Sequence, residues 1–103
     1  MSHYLVYVTA SSKTEAIHLG RVVVKNREAA CANVLGDSTS IYWWEDKIQT
    51  NAETLLLLKT TSEKLASLID NLKKIHSYEC PCILAIEIKK GNPEFMDWIT
   101  KEV

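Results

Sequence analysis

The chain has 103 residues, with 12 lysines and arginines against 13 aspartates and glutamates and a hydrophobic content of 47%. A chain of this length supports one small hydrophobic core over residues 1–103, so oligomerisation is an early expectation. A net charge of −1 lacks the basic excess that phosphate binding needs, which argues against nucleic acid as a partner. No apolar run reaches the roughly 18 residues of a membrane span, so we expect no membrane partner and a cytoplasmic location.

The first part of the chain predicts a strand followed by a helix. β-branched and aromatic residues from Tyr4 to Thr9 are typical of a central strand that is buried on both faces. The Ser-Lys-Thr-Glu run at 12–15 has the form of a capping box, which marks the start of a helix. Apolar residues at helical spacing predict that this helix runs from about Thr14 to Arg27, with Glu28 among the polar residues at its end.

A long β-hairpin is predicted next. Alternation with period two begins near Cys31, and the run Gly-Asp-Ser at 36–38 interrupts it, which predicts a bulge or bend. A polar turn follows, in which Asp46 is expected to adopt a left-handed conformation. Each arm would have about 12–14 residues, longer than the usual 3–10, so the tip should project beyond the rest of the chain. This tip carries three aromatic residues, Tyr42, Trp43 and Trp44.

The two tryptophans are neighbours on a predicted strand and therefore face opposite sides. One of them is expected to pack inside while the other meets a partner chain. We interpret Tyr42, Trp43 and Trp44 as interface residues rather than as a platform for stacking a ligand.

The second part of the chain predicts a helix, a strand and a terminal helix. The run Thr-Thr-Ser-Glu at 60–63 offers cap chemistry, and apolar residues from Leu65 to Ile75 follow on one helix face. Pro81 favours extended geometry before a strand over 83–88, and Asn92 with Pro93 predicts a capped final helix. The order βαββαβ plus a terminal helix is the ferredoxin-like α+β arrangement, in which two helices cover one face of a four-stranded antiparallel sheet.

Segment 76–82 holds the densest group of candidate metal ligands, namely His76, Glu79, Cys80 and Cys82. Thiolate and imidazole favour copper or zinc over Mg²⁺ or Ca²⁺. The C-x-C spacing differs from a zinc knuckle and no second ligand pair follows, so a loop with buried thiols is the alternative. Cys31 has small apolar neighbours and is either a small core residue or a further thiolate ligand. The three cysteines predict reduced thiols or metal ligands rather than a disulfide framework.

The sequence carries few signs of catalysis. It has no glycine-rich phosphate loop and no carboxylate pair at the spacing of a glycosidase, and Cys31 with His76 is the only nucleophile and base pairing worth naming. We therefore predict that the protein is not an enzyme, has no catalytic residues and uses no organic cofactor.

Motifs along nearly the whole chain resemble the CutA family, the divalent-cation tolerance proteins. The matching segments are Val8-Thr9-Ala10, Ala29-Ala30-Cys31-Ala32-Asn33, Ser40-Ile41-Tyr42-Trp43-Trp44-Glu45-Asp46-Lys47-Ile48, Leu58-Lys59-Thr60, His76-Ser77-Tyr78-Glu79, Ile83-Leu84-Ala85, Gly91-Asn92-Pro93 and Asp97-Trp98-Ile99. The resemblance implies a homotrimer that is similar to the PII signalling proteins, with long hairpins shared between subunits. It also implies a link to copper and other divalent metal ions, without an established enzymatic activity.

By position, five residues fall on family motif residues that are thought to line a cleft between subunits: Cys31, Lys59, His76, Tyr78 and Glu79. The chain departs from the family pattern at Ser77, at Asp46 and at 80–82, where Cys-Pro-Cys replaces a more usual Val-Pro-Glu. The two added thiols would strengthen Cu(I) binding if both reach the same space. The alternative is a PII-like signalling or scaffold trimer that binds a small metabolite or protein partner through Lys59, Tyr78 and Trp44.

Overall fold

The computed structural model describes residues 2–103. Its elements, in chain order, are β1 (His3–Ala10), α1 (Lys13–Lys25), β2 (Cys31–Trp44), β3 (Lys47–Thr61), α2 (Ser62–Ile75), β4 (Ile83–Ile88) and α3 (Pro93–Glu102). The strands form one antiparallel sheet in the order β2-β3-β1-β4. The predicted βαββαβ order with a terminal helix is therefore confirmed. No helix among the described residues is long and apolar enough to cross a membrane.

The hydrophobic core lies between one face of the sheet and helices α1 and α2. Its members are buried side chains of β1, β3 and the two helices: Val6, Val8, Leu56, Leu58, Leu19, Val23, Leu68 and Leu72. Helix α1 approaches the sheet closely at Gly20, where an added Cβ would lie 3.0 Å from the Cβ of Ala32. The absence of a side chain at Gly20 therefore sets the distance between α1 and the strands beneath it.

The start of α1 has one of the two hydrogen bonds of the predicted capping box. The Ser12 hydroxyl accepts a hydrogen bond of 3.1 Å from the backbone N–H of Glu15. The carboxylate of Glu15 does not return to Ser12, because it accepts from the backbone and hydroxyl of Ser11 instead. The helix ends at Lys25 rather than at Arg27, since Arg27 has a φ of 61°, outside the helical region.

Helix α2 begins without the predicted side-chain cap. Its N-cap Thr61 makes no side-chain hydrogen bond, and the hydroxyl of Thr60 donates instead to the backbone carbonyl of Glu28, at 2.6 Å. The Glu28 carboxylate accepts hydrogen bonds from Ser67 at 2.6 Å and from Asn71 at 2.7 Å, both on α2. Glu28 is only 9% exposed, so this carboxylate anchors α2 rather than marking a polar helix end.

The hairpin of β2 and β3 is confirmed, with arms of 14 and 15 residues against the predicted length of about 12–14. The register shifts between Leu35 and Ser38, which confirms the bulge, and Glu45 and Asp46 have φ values of 50° and 62°. Positive φ at both central residues is the geometry of a two-residue hairpin turn. Strand β1 pairs only with 54–61 of β3, so residues 47–53 extend roughly 23 Å beyond it.

The face of the sheet opposite α1 and α2, here called the open face, is only partly covered. Helix α3 lies at one end of it, where the Lys59 Nζ is 5.9 Å from the centroid of the Phe95 ring. Away from α3, Leu84 and Ile86 of β4 are 57% and 53% exposed. A single chain therefore presents an apolar sheet face to solvent.

Candidate functional site

A cavity of about 590 Å³ lies on the open face where the hairpin, β1 and segment 78–82 meet. Four aromatic residues line it: Tyr7, Tyr42, Trp44 and Tyr78. We call this space the hairpin cavity. It exists because the alternation of β1 and the projecting hairpin places these rings on the same side of the sheet, opposite the helices.

Two carboxylates and two thiols also line the hairpin cavity: Glu53, Glu79, Cys80 and Cys82. The Tyr78 hydroxyl donates a hydrogen bond of 2.8 Å to Oε2 of Glu53. Burial, the hydrogen bond to Glu53 and nearby negative charge raise the pKa of Tyr78 well above its usual value. Burial and the charge of Glu53 also raise the pKa of the Cys82 thiol, against a smaller opposing effect of Thr9. The cavity therefore carries a negative potential.

His76 supports the cavity from behind rather than lining it. Its Nε2 donates to the carbonyl oxygen of Thr9 at 2.8 Å, and its Nδ1 accepts from the backbone N–H of Tyr78 at 3.0 Å. Both ring nitrogens are therefore occupied, and the residue is 8% exposed. His76 fixes the position of Tyr78 against the end of β1 and offers no free nitrogen to a metal ion.

Glu15, on α1, holds the loop that carries Tyr78. Its Oε2 accepts a hydrogen bond of 2.9 Å from the backbone N–H of Ser77, and its Oε1 accepts from Ser11. Burial by itself raises the pKa of Glu15, but the hydrogen bonds from Ser77 and Ser11 outweigh it and lower the pKa to about 2. The start of the loop that carries Tyr78 is thus held by polar contacts to Thr9 and to Glu15.

Cys31 and Lys59 lie at the other end of the sheet. They are directly paired across β2 and β3, and the Lys59 Nζ is 3.5 Å from the Cys31 Sγ. Six residues of extended strand separate Lys59 from Glu53, which corresponds to about 20 Å. Within one chain, Cys31 therefore cannot share an ion with Cys82, and Lys59 cannot share a cleft with Tyr78 and Trp44.

A single chain does not bring Cys31, His76, Glu79, Cys80 and Cys82 together, so the metal site that they were predicted to form stays a prediction. Over residues 2–103, no group of three or more His, Cys, Asp or Glu side chains is arranged to hold a metal ion. Two features keep these side chains apart. Cys31 lies at the far end of the sheet from Cys82, and both ring nitrogens of His76 already take part in hydrogen bonds. Only Glu79, Cys80 and Cys82 share a cavity, and all three cysteines are free thiols.

Neither hairpin tryptophan is buried, contrary to the expectation that one packs inside. Trp44 is 54% exposed and lines the hairpin cavity, whereas Trp43 is 70% exposed on the other side of the hairpin, paired with Ile48. Tyr42 is also exposed, and its hydroxyl accepts a hydrogen bond from the amide of Asn51. The tip therefore has two apolar sides and no covering layer within the described chain.

Sequence reasoning missed Glu53 and Tyr7 as residues of the cavity. Glu53 lies opposite Ser38, immediately after the bulge, and Tyr7 lies opposite Leu57. The sequence predicted that β1 is buried on both faces, which gave no reason to single out Tyr7, and the register that brings Glu53 beside Tyr78 depends on the size of the bulge.

Comparison with known proteins agrees with the motifs. The family described as CutA1 divalent ion tolerance protein matches residues 4–102. The divalent-cation tolerance protein CutA of Archaeoglobus fulgidus is 42% identical over 101 residues, covering 98% of both chains. The chloroplastic protein CutA 1 of Oryza sativa subsp. japonica is 38% identical over 92% of this chain, which spans 54% of that relative.

The fold agrees as well. The crystal structure of CutA1 from Oryza sativa superposes with a TM-score of 0.96 at 35% identity, covering 99% of this chain and 94% of that one. The chain belongs to the family of CutA1 divalent ion tolerance proteins.

Proposed function

We propose that this protein acts in divalent-cation tolerance as a homotrimer that binds copper or another divalent transition metal ion. The observation that carries the proposal is the family match over residues 4–102, which includes every element of the fold except His3, the first residue of β1. The name of the Archaeoglobus fulgidus relative connects that protein to divalent-cation tolerance. A cytoplasmic location and a PII-like subunit arrangement stay predictions from the sequence.

The homotrimer is supported by the apolar surface that one chain leaves uncovered. At the hairpin tip, Ile41 and Trp43 are both 70% exposed and Ile48 is 63% exposed. Leu84 and Ile86 add apolar surface on the open face. Exposed apolar patches of this extent mark protein interfaces in soluble proteins, and copies of the chain can cover both patches through a projecting hairpin.

The metal ion would be held by the two thiols of the Cys-Pro-Cys segment. Cys80 and Cys82 line the same cavity, with Glu79 beside them. Thiolates select Cu(I) and Zn²⁺ over harder ions. Two thiols from one chain leave coordination positions open, and we assign these to water or to a neighbouring subunit.

Metal binding is tested by titrating the protein with Cu(I) under reducing conditions, and separately with Zn²⁺. We expect an affinity tighter than micromolar that is lost in the double variant Cys80→Ser, Cys82→Ser. Cys31→Ser is the matched control, because Cys31 lies at the far end of the sheet and its replacement should leave the affinity unchanged. Binding no tighter than micromolar that survives replacement of all three cysteines would contradict the proposed site.

The metabolite-binding alternative receives no support from the described chain. It required Lys59, Tyr78 and Trp44 to share a cleft, and only the last two line the same cavity. Lys59 instead contacts Cys31 and lies near the ring of Phe95.

A further inference from the structure

A groove lies between α1 and the first part of β2, on the face of the sheet that the helices cover. Its walls are formed by Ile17, Arg21, Val24 and Lys25 of α1 and by Ala32 and Val34 of β2. Its volume of about 640 Å³ falls within the roughly 300–1,000 Å³ of pockets that bind small organic ligands. We call this space the edge groove, because β2 is an edge strand of the sheet.

The edge groove lies apart from the surfaces assigned to the trimer, which are the hairpin tip and the open face. Ala32 and Val34 are paired with Leu58 and Leu56, which are core residues beneath the helices. Side chains of directly paired residues lie on the same face of a sheet, so Ala32 and Val34 face α1 and not the open face. Trp44 lies ten positions after Val34 on β2, which corresponds to roughly 30 Å. Covering the tip and the open face therefore does not use this groove.

The apolar part of the edge groove is aliphatic. Ile17 and Val24 are seven positions apart, which places them on one side of α1. Ala32 and Val34 are two positions apart, which places them on one face of β2. All four side chains are half-buried, and no aromatic ring within 2–103 lines the groove. Such walls favour a flexible hydrocarbon chain, which is stabilised by leaving water and needs no hydrogen bond.

The charge of the edge groove is positive. Arg21 and Lys25 lie one helical turn apart on the side of α1 that lines the groove, and both are exposed. Neither of them forms an ion pair with a carboxylate of the described chain. No aspartate or glutamate among the described residues lines the groove. Guanidinium and ammonium groups form strong, charge-assisted hydrogen bonds with carboxylates, so the groove complements an anionic headgroup.

We propose that the edge groove binds a small anionic amphiphile, an aliphatic chain that ends in a carboxylate. Arg21 and Lys25 bind the carboxylate, and Ile17, Val24 and Val34 contact the chain. The site shares no residue with the hairpin cavity or with the two thiols proposed to bind metal. It requires neither a metal ion nor a neighbouring subunit.

The proposal is tested by calorimetric titration of the assembled protein with octanoate, below the concentration at which octanoate forms micelles and in the presence of EDTA. We expect one saturable site per chain. 1-Octanol has the same chain without the charge, and it should bind at least about tenfold more weakly because it forms no ion pair with Arg21 or Lys25. Hexanoate keeps the charge but lacks two methylene groups. It should bind about fivefold more weakly than octanoate, because less apolar surface leaves water.

A double variant locates the carboxylate. Arg21→Gln with Lys25→Gln should weaken octanoate binding by about tenfold, as expected for the loss of both cations. The matched control is Lys73→Gln with Lys74→Gln, which removes two exposed charges from the last turn of α2, outside the groove. The control should bind octanoate like the parent. All four side chains are exposed, so neither double variant should unfold the chain.

A single variant locates the aliphatic chain. Ile17→Ala should weaken octanoate binding by about threefold, because part of the apolar wall is lost. Ile69→Ala is the matched control, since Ile69 is a half-buried isoleucine of α2 that does not line the groove. Light scattering and urea unfolding on each variant show whether its mass and fold match those of the parent, and Val34→Ala replaces Ile17→Ala if they do not.

The proposal is overturned if octanoate does not bind, or if 1-octanol binds as tightly as octanoate. It is also overturned if the double variant of Arg21 and Lys25 has the same affinity as that of Lys73 and Lys74. Tighter binding of a short peptide of alternating glutamate and valine would assign the groove to an acidic protein segment and refute the amphiphile. Because EDTA is present and the thiols lie elsewhere, a failure here leaves the metal proposal standing, and the converse also holds.

Discussion

Replacing Glu15 by glutamine should remove a pH-dependent part of the folding free energy. The Glu15 side chain is 13% exposed and joins the start of α1 to the loop after α2 through Ser11 and Ser77. Its pKa falls from a usual 4.5 to about 2 in the folded chain. A lowered pKa means that the ionised group stabilises the fold above pH 4.5, and that this stabilisation is lost as the pH falls from 4.5 towards 2.

The size of the effect follows from the shift. At about 1.4 kcal/mol per unit, the ionised carboxylate contributes roughly 3 kcal/mol at pH 7. In Glu15→Gln the charge is gone, and only the amide oxygen can accept from the three N–H and O–H donors, while the NH₂ group faces donors without accepting from them. We therefore expect a loss of about 2–3 kcal/mol at pH 7 that narrows to below about 1 kcal/mol near pH 2.

The assay is urea unfolding followed by circular dichroism at pH 7, 4.5 and 2.5, with the same protein concentration in every sample. Glu63→Gln is the control, since Glu63 is exposed in the first turn of α2 and should change stability by less than about 0.5 kcal/mol. If Glu15→Gln costs the same free energy at every pH, or no more than Glu63→Gln at pH 7, the hydrogen-bonded carboxylate does not stabilise the fold in the way described.

Two further predictions concern Glu28 and Glu53. Glu28→Ala should destabilise the fold by about 1–3 kcal/mol in the same unfolding assay, because Ser67 and Asn71 lose their acceptor. An unchanged unfolding midpoint would show that the Glu28 carboxylate does not anchor α2. Glu53→Gln should speed alkylation of Cys82 by iodoacetamide near pH 8, in a protein whose other cysteines are serine, because removing the negative charge lowers the pKa of the thiol. An equal or slower rate would show that Glu53 does not act on this thiol.

The order of elements could be predicted because each depends on nearby residues. The hairpin bulge and the turn at Asp46 follow from local glycine and aspartate chemistry, and the Asn92 side chain caps α3 as expected by accepting from Glu94 at 3.1 Å. The missing side-chain cap of α2 shows where prediction from nearby residues fails. The hydroxyl of Thr60 found a partner in Glu28, 32 positions away, and no local pattern reports such a contact.

The site was harder to predict because it depends on long-range pairing. Residue types alone grouped His76 with the thiols, but its two nitrogens are taken by Thr9 and Tyr78 once β1 lies beside the loop. Cys31 carries a suitable ligand type and lies at the wrong end of the sheet, because its antiparallel partner is Lys59. Chemical type could be read from the sequence, whereas convergence in space required the register of the strands.

The homotrimer is tested most directly by the mass of the protein in solution. Sedimentation equilibrium at micromolar concentration should give three times the chain mass of 11.7 kDa, with no dependence on loading concentration. The uncovered hairpin tip and open face would then be interfaces between copies. A mass of one chain under the same conditions would contradict the trimer and leave those apolar surfaces without an explanation.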